Sequence, residues 1–270
     1  MELMSIKTLK PKEIEFEAQN LGQPLITIGI PVYNGEKTLV EALDSILRQT
    51  IDDFEVIISD NASTDGTAEI CRRHAMNDPR IRYIRHEFNM GAYSNFKFTL
   101  DQARGKYFLW TAADDYRSHD CLMHYLANIG VAGGVFSTYA QFDRSTGEIV
   151  IPSTPQLSSN QTTYAAVTAF FARHRTPMFY GMFRTSAASS CFGDTFFDWY
   201  DSYFLLKIIK KYGMNTTDGP PRFFYACDGT YKTKPISARF IRTWPYFKKN
   251  RVYGFALRSN RVSVLRECIP

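Results

Sequence analysis

The sequence lacks any apolar run of the roughly 18 residues that a membrane-spanning helix needs. Its N-terminal segment, MELMSIKTLKPKEIEFEAQN, also lacks the apolar core of a signal peptide. The five cysteines are odd in number and form no Cys-x-x-Cys pair, which argues against a disulfide framework or a zinc knuckle. We therefore expect a cytoplasmic protein whose thiols are reduced and mostly buried.

Two phosphate-binding motifs are missing as well. There is no G-x-G-x-x-G and no G-x-x-x-x-G-K-[ST], so neither a Rossmann dinucleotide site nor a P-loop is supported. A nucleotide bound to this chain would have to be held by carboxylates and loops rather than by a glycine-rich phosphate cradle.

Charge is unevenly spread along the chain. The whole chain carries a net charge of +5, and the segment from Lys232 to the C-terminus holds ten basic residues and one acid, so it carries +9 and the remainder −4. Aromatic residues interleave with these basic residues. The tail is therefore interpreted as a patch for anionic membrane headgroups or a lipid-diphosphate acceptor, or as a solvated basic face with ordinary core aromatics. No recognition motif accompanies the charge, so a nucleic-acid partner is not expected.

Strand-like and helix-like segments alternate through the first half. The run LITIGIPVY (25–33) predicts a strand buried on both faces, and FEVIISD (54–60), IRYIRH (81–86) and KYFLWTAA (106–113) predict three more. One-sided apolar spacing predicts a helix after each of the first three strands. The alternation indicates an α/β fold with a mainly parallel, twisted sheet flanked by helices.

The second half is less regular. GGVFSTYAQFD (133–143) predicts a strand, and TYAAVTAFFARHR (163–175) predicts a helix. DWYDSYFLLKIIKKYG (198–213) predicts a helix that ends at Gly213, and GMFRTSAA (181–188) is interpreted as a turn.

Polar residues follow three of the four predicted parallel strands, where such sheets bind ligands. They are Pro31 to Glu36, Asp60 to Asp65, and Asp114 with Asp115. Taken alone, ISDNASTDGT (58–67) is explained by turn and helix-cap chemistry. Beside IPVYNGEKTL (30–39) it predicts a shallow cleft, in which Asp60 and Glu36 accept hydrogen bonds from a base or a ribose.

Asp114 and Asp115 directly follow the apolar segment YFLWTAA. A helix N-terminus explains one acid at that place but explains two poorly. Adjacent carboxylates in a partly buried place repel, and each raises the pKa of the other. A divalent cation that bridges the carboxylates and the diphosphate of a nucleotide would remove the repulsion.

Three segments in order resemble the nucleotide-sugar half of an inverting glycosyltransferase of the GT-A fold, the large family 2 type. They are ITIGIPVYNGEKTLVEALDSILRQT, EVIISDNASTDGT and GKYFLWTAADD, and the resemblance runs from residue 25 to about residue 115. It implies a nucleotide-sugar donor whose base pocket is lined by Pro31, Tyr33 and Glu36, with Asp60 holding the base or the ribose. The other donor-binding residues that it implies are Asn61, Asn89, Asp114 and Asp115.

The resemblance also implies a divalent cation, Mn²⁺ or Mg²⁺. Asp114 takes the last position of the family's Asp-x-Asp motif and is the implied metal ligand, but Ala112 replaces the first acid. The family often draws a further ligand from a C-terminal histidine, whereas the last histidine here is His174. The alternatives are a cation held by Asp114, Asp115, phosphates and water, or no cation, with the basic tail balancing the diphosphate charge.

The helix predicted over 198–213 resembles the family's Glu-Asp helix, whose acid is the catalytic base. Asp201 takes that role, with Asp198 as the alternative, and Tyr200 stands where a glutamate is common. Burial among aromatic neighbours is expected to raise the pKa of Asp201 toward a value suited to accepting a proton.

The resulting hypothesis is an enzyme that moves a sugar, with inversion, from a nucleoside diphosphate donor to an acceptor hydroxyl. A UDP-sugar is the favoured donor, and the acceptor is a cell-surface polysaccharide, a glycolipid or a lipid-linked saccharide. The alternatives are a catalytically silent nucleotide-sugar-binding protein and, with weaker motif support, a sugar nucleotidyltransferase.

The expected organisation has four parts: a polar lead-in (1–23), a donor-binding half (24–116), an acceptor-side half with the base helix (117–230) and the basic tail (231–270). The expected location is cytoplasmic, peripheral on the inner face of the cell membrane.

Overall fold

The computed structural model describes residues 14–16, 22–172, 176–193, 199–227, 255–258 and 261–264. Two residues named above, His174 and the alternative base Asp198, lie outside the described residues. So do most of the predicted lead-in and most of the basic tail.

The described strands and helices are defined as follows. The strands are β1 (Ile14–Phe16), β2 (Ile26–Val32), β3 (Phe54–Asp60), β4 (Ile81–Arg85), β5 (Tyr107–Trp110), β6 (Tyr116–Arg117), β7 (Gly134–Ser137), β8 (Tyr139–Phe142), β9 (Ile149–Val150), β10 (Met182–Arg184), β11 (Met214–Thr217), β12 (Phe223–Ala226), β13 (Phe255–Arg258) and β14 (Arg261–Val264). The helices are α1 (Leu39–Leu47), α2 (Thr67–Asn77), α3 (Ala92–Asp101), α4 (Cys121–Ile129), α5 (Thr163–Ala172), α6 (Thr185–Cys191) and α7 (Tyr200–Tyr212), with a 3-10 helix at Thr176–Tyr180.

Among the described residues, eight strands form one large sheet in the order β1-β4-β3-β2-β5-β10-β7-β11. Strands β4, β3, β2 and β5 run parallel, while β10 is antiparallel to both β5 and β7. The chain builds outward from β2 to β4 and then returns to place β5 on the other side of β2. In open α/β sheets, this reversal of strand order is where a ligand crevice opens at the carboxyl ends.

The centre of the sheet is apolar, as the sequence predicts. Strand β3 is buried along its whole length, and β2 is buried except at Pro31. Gly29 in β2 lets α3 lie close to the sheet, because a Cβ at this position would lie 2.7 Å from Thr99 Oγ1. The tight packing fixes the strand ends from which the site is built.

Two predictions for the second half are wrong. The single strand predicted over 133–143 is divided at Thr138 into β7 and β8, which belong to different sheets. The backbone of Thr138 bonds to Thr217 O and Arg222 N, both at 3.1 Å, so the chain leaves one sheet and enters the other there. The turn predicted over 181–188 contains β10 and the start of α6.

The large sheet takes strands from both sides of the predicted boundary at residue 116, and that division stays a prediction. A second sheet, formed by four strands in the described part of the chain, has the order β6-β12-β8-β9. Its first strand, β6, follows β5 in the chain. None of the helices in the described ranges is long and apolar enough to span a membrane.

Candidate active site

Strands β2 and β5 stop pairing just before the predicted donor residues. Their register ends at the Gly29–Trp110 pair. Pro31 lies two residues beyond that pair, where β2 no longer bonds to β5. Its lack of an N–H group therefore costs no hydrogen bond to β5. The loops that follow remain neighbours, because a Cβ on Gly35 would lie 3.4 Å from the Cβ of Ala113. The loops after β2 and β5 thus meet at the switch point of the sheet.

The loop after β2 is tied to the loop after β3 by reciprocal hydrogen bonds. Asn34 N donates to Ser63 Oγ at 3.0 Å, and Thr64 N donates to Asn34 Oδ1 at 2.8 Å. Gly66 N donates to Glu36 Oε2 at 3.1 Å, so the Glu36 carboxylate lies at the start of α2. Acids favour that position because of the orphan N–H groups and the helix dipole. Glu36 therefore joins the two loops, because its Oε2 binds the backbone at the start of α2.

The Asp60 carboxylate is turned into the protein. It is fully buried, and it accepts hydrogen bonds from Ser63 N at 2.8 Å and from Tyr83 Oη at 2.9 Å. Arg85 Nε lies 3.3 Å from the same oxygen that Tyr83 contacts. The bond to Ser63 closes a tight turn in which Ala62 has a left-handed φ of 61°. These contacts show Asp60 holding the loop, and its predicted contact with a donor base or ribose stays a prediction.

Asn61 and Asn89 are brought together, and the donor contact predicted for both stays a prediction. Asn61 Nδ2 donates to Asn89 Oδ1 at 2.8 Å, and Met90 N donates to Asn61 Oδ1 at 2.8 Å. The loop after β4 is thereby linked to the loop after β3. Tyr33 and Phe88, on the first and third of these loops, are half exposed. Three successive strand ends therefore form one connected rim with amide groups and aromatic rings on it.

A buried polar cluster supports the third loop from below. His86 Nε2 lies 2.7 Å from Ser59 Oγ, which in turn donates to Asn95 Oδ1 at 2.5 Å. Asn95 Nδ2 donates back to Ser59 O at 2.9 Å. Burial lowers the pKa of His86 below its usual range. A neutral ring that donates through Nε2 to Ser59 fits this geometry and anchors both ends of the loop.

Asp114 and Asp115 lie side by side in sequence but face different environments. Asp114 is exposed at the rim, whereas Asp115 is only 1% exposed. Asp115 Oδ1 accepts a hydrogen bond from Ala226 N at 2.9 Å, and Oδ2 has no hydrogen-bond partner among the described residues. Burial, together with the negative charge of Asp114, raises the pKa of Asp115 well above its ordinary value. The donor contact predicted for Asp115 stays a prediction.

The backbone of Asp114 is held by an arginine from a distant hairpin. Arg144 Nη2 donates to Asp114 O at 2.7 Å, and Arg144 Nη1 lies 2.8 Å from Glu41 Oε2 on α1. Its guanidinium also lies 5.1 Å above the ring of Phe142. The arginine joins α1, the β8–β9 hairpin and the end of β5.

The residues at this rim fit a divalent cation only in one way. Ala112 offers no side-chain ligand atom, Asp115 is turned inward, and no group of three His, Cys, Asp or Glu residues that could hold a metal ion occurs within the described ranges. Mg²⁺ commonly binds through one or two carboxylates together with substrate phosphates and water. Asp114 therefore fits as a single protein ligand for a cation that arrives with a diphosphate.

Arg117 connects the end of β5 to the 3-10 helix. It is 4% exposed, and its Nη2 donates to Trp110 O at 2.7 Å and to Tyr180 O at 2.8 Å. Burial and the negative charge of Asp115 raise the pKa of Tyr180 well above its ordinary value. The half-buried phenol of Tyr180 therefore stays protonated and lies near the acid pair.

Asp201 lies in the first turn of α7, half-buried at the same rim. Its Oδ1 accepts a hydrogen bond from Ser202 N at 2.6 Å. The neighbouring Tyr200 ring packs 5.1 Å from Tyr93, in the first turn of α3, and 5.8 Å from Phe179. Since α3 begins at the carboxyl edge of the sheet, these contacts bring the start of α7 to that edge. The tyrosine that replaces the family's glutamate is thus a packing residue, and the expected rise in the pKa of Asp201 stays a prediction.

Sequence reasoning missed Arg117, Arg144 and Tyr180. A signal for Arg144 existed, because the segment DRSTG after a predicted strand is typical of a hairpin turn. That signal does not tell which strand end the hairpin folds onto. Nothing in the sequence marks Tyr180, whose position depends on β10 pairing with β5.

Solved structures share this fold. The structure of S. aureus TarS residues 1–349 superposes with a TM-score of 0.63 over 74% of this chain and 60% of that chain, at 18% identity. Mannosyltransferase PcManGT from Pyrobaculum calidifontis covers 91% of this chain and 69% of that chain, with a TM-score of 0.57 and 20% identity. The chain therefore has the GT-A fold, as the sequence resemblance predicts.

Curated relatives are similar over less than half of this chain. The Escherichia coli chondroitin synthase is 37% identical over 125 residues, which are 45% of this chain and 18% of that protein. Glycosyltransferase GlyG of Streptococcus pneumoniae serotype 4 is 31% identical over 134 residues, 49% of this chain and 44% of that protein. The chain thus spans less than half the length of these two relatives.

The fold and the acidic rim at its switch point define the class as a GT-A protein. The sequence profile described as Glycosyl transferase family 2 matches residues 27–240, which is most of the chain. The chain belongs to glycosyl transferase family 2.

Proposed function

We propose that this chain transfers a sugar, with inversion, from a nucleoside diphosphate donor to an acceptor hydroxyl, with a UDP-sugar as the favoured donor. The observation that carries the proposal is the meeting of three hydrogen-bonded loops, the Asp114 carboxylate and the first turn of α7 at one rim of the sheet. Family membership supports the reaction class. The TarS structures in complex with UDP and with UDP-GlcNAc support the donor class.

The donor base is held by the loops after β2, β3 and β4. Pro31 and Tyr33 line its pocket, and the exposed amide of Asn89 faces the edge of the base, held there by the buried amide of Asn61. Glu36 and Asp60 act by fixing these loops, because their described contacts are with protein groups. Fixing the nucleotide in one orientation places its diphosphate toward Asp114 and supplies part of the rate through positioning.

The chemical step is a single displacement. Asp201 accepts the proton of the acceptor hydroxyl, and the acceptor oxygen forms a bond to the anomeric carbon. On the opposite face, the bond from that carbon to the diphosphate oxygen breaks, and the nucleoside diphosphate leaves with the electron pair. A general base of this kind contributes about 10²- to 10⁴-fold to the rate.

A Mn²⁺ or Mg²⁺ ion bound with the donor would be held by Asp114 and would supply positive charge to the leaving diphosphate. The P. calidifontis mannosyltransferase structure contains GDP-Man and Mn²⁺, which supports a cation in this fold. Asp115 supports the Asp114 loop from the interior of the protein, where its carboxyl accepts a hydrogen bond from Ala226 N.

The acceptor is proposed to be a growing cell-surface polysaccharide or a lipid-linked saccharide. The chondroitin synthase relative supports polysaccharide synthesis. The net charge of +9 from Lys232 onward favours work at an anionic surface, so we place the protein in the cytoplasm at the inner face of the membrane.

The test is a donor panel. The protein is incubated with UDP-, GDP- and dTDP-sugars, with Mn²⁺, with Mg²⁺ and with a chelator, and released nucleoside diphosphate is measured with and without saccharide acceptors. The proposal predicts release from at least one donor, and from a UDP-sugar before the others. Binding of a nucleotide sugar without turnover under any condition would favour the silent binding protein, and neither binding nor turnover would refute the proposal.

A further inference from the structure

We propose that Arg144 is a binding residue for the donor diphosphate: it fixes the backbone of Asp114 and places a positive charge with free N–H donors beside it. The inference rests on the proposed function and adds to it a positively charged side chain from the described part of the chain. It is carried by the two hydrogen bonds that join Arg144 to Asp114 and Glu41.

The backbone at Arg144 is fixed by its own turn, and its side chain is fixed by the bonds to Asp114 and Glu41. Asp143 Oδ1 accepts hydrogen bonds from Ser145 N at 2.8 Å and from Thr146 N at 3.1 Å. Gly147, with a left-handed φ of 73°, donates to Asp143 O at 2.8 Å and closes the turn. The guanidinium therefore reaches Asp114 from a preformed hairpin, and little side-chain freedom remains to be lost when a ligand binds.

The guanidinium has hydrogen-bonding capacity left. An arginine carries five N–H donors, and the two bonds to Glu41 and Asp114 use two of them. Its side chain is 27% exposed, so it is open to solvent at the rim. A planar, permanently charged fork is the arrangement that proteins use to bind phosphate groups in two-point contact.

Charge balance explains why a diphosphate needs this residue. Asp114 brings a negative charge to the place where the proposed diphosphate lies. Ala112 stands where a second acid would have given a bound metal ion another protein ligand. Arg144, although it is also paired with Glu41, offsets part of that negative charge through a fixed contact. Removal of a charged hydrogen bond to a phosphate costs about tenfold to a hundredfold in affinity.

The test measures binding of UDP and of uridine to four proteins by calorimetry and competition. They are the unaltered chain, Arg144→Met, Arg144→Lys and Arg48→Met. Arg48 is a matched control, because it is a surface arginine at the C-cap of α1, it pairs with Asp44, and its loss changes the net charge by the same amount. Thermal unfolding of each variant checks that the fold is retained.

Arg144→Met is expected to weaken UDP binding at least tenfold and to change uridine binding less than twofold, because uridine has no phosphate. Arg144→Lys keeps the charge but loses the planar guanidinium, so its UDP affinity should lie between those of the unaltered chain and Arg144→Met. Arg48→Met should bind UDP like the unaltered chain. Equal weakening of UDP and uridine, or unchanged UDP binding in Arg144→Met, would overturn the inference. If Arg144→Met does not fold, Arg144→Lys alone decides by the same comparison. Failure of the unaltered chain to bind any nucleotide would count against the proposed function itself.

Discussion

The Asp115 carboxylate accepts a hydrogen bond from the amide of Ala226, 111 residues further along the chain, at 2.9 Å. This bond joins the end of β5 to β12 in the second sheet. The carboxyl is buried beside Asp114, and its second oxygen has no hydrogen-bond partner among the described residues. An acid in this environment favours its neutral form.

The pH dependence of stability follows from that burial. Burial, with the charge of Asp114, raises the pKa of Asp115 in the folded state, so the folded chain binds more protons than the unfolded chain at pH values between the ordinary and the raised pKa. The contribution of Asp115 to the free energy of unfolding is therefore greatest below the ordinary pKa. It is lost as pH rises toward the raised pKa, by at most about 1.4 kcal/mol per pH unit. Asp115→Asn, which keeps an acceptor for Ala226, is expected to be more stable than the unaltered chain at pH 8 and to narrow that gap at pH 4. Urea unfolding across this range measures it, and a variant that is less stable at every pH would contradict it.

Asp60 gives a prediction about its partner Tyr83. Tyr83→Phe removes the phenol that donates to the buried carboxylate and keeps the ring, so it should lower the free energy of unfolding by about 1.5–3 kcal/mol. Tyr164→Phe, at a residue that is 53% exposed, is the control and should have little effect. Unchanged stability in Tyr83→Phe would mean that Tyr83 does not hold the carboxylate.

Ala62 gives a prediction of the opposite sign. Its left-handed φ of 61° costs about 1–2 kcal/mol for a residue with a Cβ, and glycine removes that cost while losing about 0.5–1 kcal/mol in chain entropy. Ala62→Gly should therefore stabilise the protein slightly, by about 0.5–1 kcal/mol. Ala127→Gly, in an exposed position inside α4, should destabilise it by a similar amount. Thermal unfolding compares the two, and destabilisation by both would show that residue 62 is not strained.

Asp201 gives the catalytic prediction. Asp201→Asn keeps the oxygen that accepts from Ser202 N but cannot take a proton, so sugar transfer should fall about 10²- to 10⁴-fold. Stability and UDP affinity should stay close to those of the unaltered chain. The exposed Asp101→Asn on α3 is the control for a lost carboxylate charge. Transfer that continues at more than a tenth of the original rate in Asp201→Asn would assign the base elsewhere.

Much of the donor half follows from the sequence, because its strands are continuous buried runs. Strand β3 has the predicted bounds of residues 54–60, and β2 and β4 each lie within one residue of the prediction at either end. Strand β5 ends earlier than predicted, at Trp110, since it separates from β2 at the crevice. Family and fold also follow from three ordered motifs and are confirmed.

The rest depends on contacts between distant residues. Thr138 splits one apolar run into two strands because its backbone bonds to groups near residues 217 and 222. Asp60 has the same sequence signal whether its carboxylate faces a ligand or Tyr83. Arg144 is thirty residues from Asp114, and only the folding of its hairpin brings the two together. Sequence patterns identify which loops form the site but not which atoms face into it.

The most direct measurement is a crystal structure of the chain with bound UDP and Mn²⁺. We predict that the diphosphate lies within hydrogen-bonding or coordination distance of Asp114 and Arg144, with uracil beside Tyr33 and Asn89. UDP bound at the opposite edge of the sheet, in the open depression lined by Gln23, Asp53 and Lys106, would contradict it.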